Sequence, residues 1–139
     1  MKTLLKGEVS FVENHINWSI DVFVKWNKKR IQIILKSRKK DLKTEFVTCA
    51  LSDSNFFSFA TRSHSYNFTG KKSKYSELIL ESAAAQSLMK SRNASIKLEE
   101  KYLIFNGKIR KNDISSLSNI FTLNEILMEE IDTLNNENT

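Results

Sequence analysis

The chain has no proline, only three glycines (Gly7, Gly70 and Gly107), one cysteine (Cys49) and two histidines (His15 and His64). Without proline, no turn is set by a locked φ and no element is stopped by a missing N–H. Tight turns therefore fall to Asn, Asp, Ser and Lys. A lone cysteine excludes an internal disulfide, in keeping with a reducing compartment. A zinc site draws on three or four ligands with close pairs, and His15, His64 and Cys49 make no pair, so neither metal nor cofactor is expected. No apolar run approaches the ~20 residues that cross a bilayer. Met1 to Gly7 offers only Leu4 and Leu5 as an apolar block, so no secretory signal is expected and a cytoplasmic location follows. Three glycosylation triplets, at Asn17, Asn67 and Asn93, are then chance matches.

Catalytic patterns are missing too. Cys49 sits in a strand-like apolar run and reads as a buried, inert thiol rather than a nucleophile served by a histidine. Glu99-Glu100 falls in a turn and Glu129-Glu130 on a helix surface, so no carboxylates pair for acid–base work. Gly70-Lys71-Lys72-Ser73 lacks the upstream glycine of a phosphate-binding loop; an ordinary helix start at Ser73 is the plainer reading.

What is present suits a single folded domain over residues 1–139, with a frayed Asn-rich and acidic tail after about residue 134. Of the 139 residues, 40% are hydrophobic and 27% charged, which permits one real core. The net charge of +6 is polarised. Between Lys25 and Lys43 lie nine Lys or Arg against Asp41 alone, whereas the stretch from Asn112 onward has acidic residues and no basic one.

The hydrophobic pattern starts with a period of two. Trp18, Ile20, Val22, Val24 and Trp26 alternate with Ser19, Asp21, Phe23 and Lys25, Asn27-Lys28-Lys29 breaks the run, and Ile31, Ile33 and Leu35 resume it: a β-hairpin. Residues 8–13, 44–51 and 55–61 read as further strands, and 62–73 as a polar loop. Residues 74–92 change to a helical period, with Ser73 or Ser76 as N-cap and Asn93 as C-cap. Residues 95–98 and 102–105 form a second hairpin. Asn106-Gly107 then predicts a tight turn to a short strand through Ile109. A helix capped by Asn112 or Asp113 follows. Thr122-Leu123-Asn124-Glu125 matches a capping box and predicts a kink or a fresh helix there. The class is α+β: a mainly antiparallel sheet of about seven strands, with a central helix and a C-terminal helix or helix pair on one face.

Two surfaces stand out. The first is basic: Lys28, Lys29 and Arg30 at the tip of the hairpin, and Arg38, Lys39 and Lys40 at its far end. A strand holds these clusters well apart, so they make two patches. The second is the loop, where Arg62, Lys71 and Lys72 interleave with Tyr66 and Phe68 as a stacking platform for single-stranded nucleic acid would. Solvated turn charges are the plainer reading of the first, and a core strand holding Phe57 and Phe59 followed by a solvated loop is the alternative reading of the second, with Tyr66 and Phe68 left open.

The expected function is a non-catalytic binding or adaptor domain that contacts a protein or anionic partner through its basic surface. Self-association of the basic hairpin with the acidic helix is one form of this. Nucleic-acid binding is the first alternative. A ligand-binding domain or enzyme with Trp18, Trp26 and Tyr102 lining a pocket is the second, and an anionic lipid surface ranks below these.

Overall fold

The computed structural model describes residues 6–41, 43–52 and 67–137. The elements run β1 (Gly7–Asn14), β2 (Trp18–Trp26), β3 (Arg30–Lys39), β4 (Phe46–Ser52), β5 (Asn67–Gly70), α1 (Lys74–Glu81), α2 (Ala83–Leu88), β6 (Arg92–Glu100), β7 (Tyr102–Arg110) and α3 (Ile114–Glu137). The strands form one antiparallel sheet in the order β1-β2-β3-β7-β6-β4-β5. Among the described residues the helices all lie on one face, so the molecule has two layers and belongs to the expected α+β class.

Alternation decides which side chains meet the helices. Trp18, Ile20 and Val22 of β2, Ile31, Ile33 and Leu35 of β3, Leu103 and Phe105 of β7, and Ile96 and Leu98 of β6 are buried on the covered face. They pack beneath Ile79, Leu88, Ile120, Leu127 and Ile131 of the helices. Their neighbours in sequence point to the opposite face, which no described helix covers.

The β2–β3 hairpin forms as its pattern predicts, and the Asn27 side chain accepts from the backbone N–H groups of Lys29 and Arg30 to close its turn. The second hairpin turns at Lys101, with Glu100 at φ 54°. Five local expectations are corrected. Asn106-Gly107 makes no turn: β7 runs unbroken through it, pairing with β3 on one side and β6 on the other. The helical stretch is interrupted at Ser82, which adopts an extended conformation. Its hydroxyl accepts from Ala85 N–H as the N-cap of α2 and donates to Glu130 of α3. Asn93 is no C-cap; its φ of 52° serves an irregularity between Arg92 and Ser95 in β6.

The capping box at Thr122 is not used either. α3 passes straight through it, because the Thr122 hydroxyl donates back to Ser118 O and Asn124 turns inward to Ser37. The true cap is Asp113, which accepts from Ser116 N–H at 3.1 Å. Part of the predicted loop is strand β5, paired with β4. The strand expected over 55–61 lies outside the described residues.

Candidate functional site

One end of the sheet gathers positive charge from four separate stretches of chain. The β2–β3 turn brings Lys28, Lys29 and Arg30. The start of β6 brings Arg92, the end of β7 brings Lys108 and Arg110, and the residue two before β6, Lys90, closes the rim. Antiparallel pairing causes this convergence. β3 begins where β7 ends and β6 begins, so Arg30 lies opposite Arg110 and Lys108 opposite Arg92.

Three adjoining clefts open on this pole, and Arg30 lines all of them. The first, of about 440 Å³, is walled by Arg30, Lys90, Arg92, Lys108 and Arg110 and floored by Ile109, Ile120 and Leu123. The second, about 720 Å³, adds Lys6, Lys28 and Lys29. The third, about 450 Å³, adds Lys111, whose backbone N–H donates to Lys29 O.

Among the described residues, the only carboxylate lining these clefts is Asp113. Its oxygens are taken up by the Ser116 N–H, the Ser116 hydroxyl at 2.7 Å and the Ser115 hydroxyl. The Ser116 hydrogen bonds hold its carboxyl below the usual carboxylate range, so it is ionised and committed to capping α3. Among the described residues, Arg30, Lys90, Arg92, Lys108 and Arg110 form no ion pair.

The other end of the molecule is different. Arg38 is exposed at the far end of β3, and Lys40 donates to His15 O at 2.7 Å. Lys39 departs from its expected place on the basic surface. It is only 5% exposed, its ammonium is bound to Asp132 of α3, and Trp18 Nε1 donates to the same carboxylate. Lys71 and Lys72 are exposed beyond β5, on the opposite margin of the sheet from the β2–β3 turn. The hairpin's two clusters are thus separate patches, and neither joins Lys71 and Lys72. Arg62 and Tyr66 lie outside the described residues. Phe68 is not a free loop aromatic: it sits on β5 opposite Leu51 and packs half-buried against the core.

Among the described residues, which exclude His64, other chemical readings find no geometry. Cys49 is buried in β4, where desolvation pushes its thiol up, and four strands separate β4 from β1 and its neighbour His15. Among the described residues no three His, Cys, Asp or Glu side chains gather in a metal-holding group. Trp18 and Tyr102 occupy opposite faces of the sheet, so they line no common pocket. No helix among the described residues is long and apolar enough to cross a membrane.

Sequence reasoning found Lys28, Lys29 and Arg30 but missed Lys90, Arg92, Lys108 and Arg110. The turn expected at Asn106-Gly107 hid the continuation of β7. A reading that kept Phe105, Gly107 and Ile109 in one alternation would have placed Lys108 and Arg110 together at a strand end. Comparison of the chain with protein-family models, with curated proteins and with solved structures gives no match.

Proposed function

We propose that the protein is a non-catalytic binding domain whose basic pole holds the phosphate groups of a nucleic acid. The observation that supports this best is the pair of like-charge cross-strand contacts at the pole, Arg30 opposite Arg110 and Lys108 opposite Arg92. Like charges placed directly opposite each other in a sheet destabilise it. A fold that keeps two such contacts around clefts with unpaired guanidinium groups stands to gain from an external anion. Arginine favours phosphate in particular, because its planar fork matches two oxygens at once.

The test is a fluorescence-anisotropy titration of labelled oligonucleotides across a salt series. Binding should weaken linearly in log–log form, with a slope of roughly −0.7 to −0.9 for each phosphate neutralised. Arg92→Glu with Arg110→Glu should weaken binding at least tenfold and flatten that slope by about one unit per arginine. Wild-type protein that binds no oligonucleotide near physiological salt would send the search elsewhere.

A second reading, an adaptor for a protein partner, has one observation in its favour. Between α1 and α3 lies a groove of about 500 Å³ walled by Leu78, Ile126 and Leu134 and by the carboxylates of Glu81, Glu129 and Glu130, with no cation among its described lining residues. An amphipathic helix with a basic face has the matching chemistry.

A further inference from the structure

The face of the sheet that no described helix covers carries an ordered surface of its own. Its residues follow from the register. Phe23 of β2 lies opposite Ile34 of β3, and Ile34 lies opposite Asn106 of β7. One step along β7 on the same face is Ile104, which pairs with Lys36, and one step further is Tyr102, which pairs with Arg38. Phe23, Ile34, Ile104 and Tyr102 therefore form a diagonal strip over three central strands, all of them half-buried rather than covered.

Cations border this strip on both sides, interspersed with three carboxylates: Glu8 lies opposite Lys25, Asp21 opposite Lys36 and Glu99 opposite Tyr102. Lys25 and Lys108 flank it toward the pole, each paired with Gln32. Lys36 and Arg38 flank it on the other side, and the Lys36 ammonium lies 4.5 Å from the centre of the Tyr102 ring. Gln32 and Asn106, joined by a hydrogen bond of 3.2 Å, add amide groups beside the apolar strip. Lys108 leads directly to Arg110 and the basic pole, so the strip and the pole are one continuous surface.

An apolar-aromatic strip flanked by individual cations and leading to a basic pole differs from what a duplex needs. A duplex presents phosphates on its outside and keeps its bases stacked inside, so it would use the cations and leave Phe23 and Tyr102 idle. A single strand can lay bases on the rings while its phosphates reach the flanking lysines and arginines. Ring planes accept any base, and the amides of Gln32 and Asn106 offer donors and acceptors to base edges.

We infer that the sheet face that no described helix covers binds single-stranded nucleic acid, with bases against the Phe23–Tyr102 strip and the backbone running on to the basic pole. The inference rests on the reading of the pole as a phosphate site and names its substrate as unpaired strands. The experiment compares single- and double-stranded oligonucleotides of equal length and sequence near physiological salt, against wild type, Phe23→Ala, Tyr102→Leu and Arg110→Glu. Tyr102→Leu keeps apolar bulk at the position and removes the ring, so it guards against loss of folding, which circular dichroism checks for each variant.

The expected result is single-strand binding at least tenfold tighter than duplex binding. Each ring substitution should cost about tenfold on the single strand, little on the duplex, and leave the salt slope unchanged. Ultraviolet crosslinking of a bromouracil-containing strand should label the peptides that hold Phe23 or Tyr102. Equal affinity for both forms, with Arg110→Glu weakening each, would overturn this inference and leave the pole's reading standing. Binding of neither form by the wild type would overturn both.

Discussion

Arg30 and Arg110 show at the level of single residues what the pole costs. They face each other across β3 and β7 with no carboxylate paired to either among the described residues. Replacing Arg110 by Glu turns its repulsion of Arg30 into attraction and gives up only a weak attraction to the Asp113 carboxylate, without disturbing the core, since the residue is exposed. The variant should be more stable than wild type by about 0.5 kcal/mol at low salt, with the gain shrinking as salt rises. Urea unfolding measures this, and a midpoint that falls would mean the two arginines are not in conflict. Stability gained together with binding lost is the pattern of a site maintained against the fold. Lys39 teaches the converse lesson about legibility. Composition grouped it with Arg38 and Lys40 as surface charge, yet its parity is that of Ile31, Ile33, Leu35 and Ser37, all buried. The alternation already placed Lys39 inward. What the sequence could not reveal was the acceptor, Asp132, which comes from a helix 93 residues away. An ammonium facing the core needs such a partner to offset its lost hydration.

Among the elements, β7 shows how a strong local signal loses to sheet pairing. Asn-Gly is a favoured hairpin turn when the flanking strands have only each other to pair with. Here both sides of the segment are claimed, with Asn106 opposite Ile34 and Ser95, and leaving the sheet would free two ladders of hydrogen bonds. Gly107 is glycine for another reason. A Cβ there would stand 2.6 Å from the Phe105 ring and 3.0 Å from Ser91 Cβ. Phe105 is fully buried, so its ring has no free direction in which to yield. Gly107→Ala should therefore destabilise the protein by roughly 1–3 kcal/mol, an overpacking penalty. Thermal unfolding checks this, and an unchanged midpoint would show that β7 adjusts locally. The same contest explains α3. Its capping box was readable, but Leu127, Met128 and Ile131 continue the stripe begun by Ile120 and Asn124, and packing on the sheet keeps the helix whole. The break at Ser82 went the other way: three alanines hid a hydroxyl that both caps α2 and holds Glu130.

At the scale of the whole molecule, the class and the antiparallel sheet were legible because the longer strands carry their own alternation, whereas the four-residue β5, inside a stretch read as loop, and the strand order were not. Placing β3 beside β7 joins segments some seventy residues apart, and nothing local marks that pairing. The same order leaves β1 and β5 as the edges. β5 is four residues long, but β1 has eight, with no Lys, Arg or Pro from Glu8 to Asn14. Val9 and Phe11 are each 46% exposed and Val12 57%, and no described element pairs with its outer side. An edge of this kind is a template for another strand. Two copies pairing antiparallel about Ser10 would set Val9 against Phe11 on the helix face and avoid placing Glu8 against Glu13. A register shifted by one residue would force that repulsion and put the helices on opposite faces. Concentration-dependent association is therefore expected, visible as a rising mass in sedimentation. Val9→Lys with Phe11→Lys would set lysine against lysine in the Ser10-centred register, and should keep the protein monomeric at concentrations where wild type associates. Both positions are half exposed and distant from Arg92 and Arg110 in the sheet, so oligonucleotide binding should persist in the double variant. Equal association of variant and wild type would show that contact between copies runs through another surface.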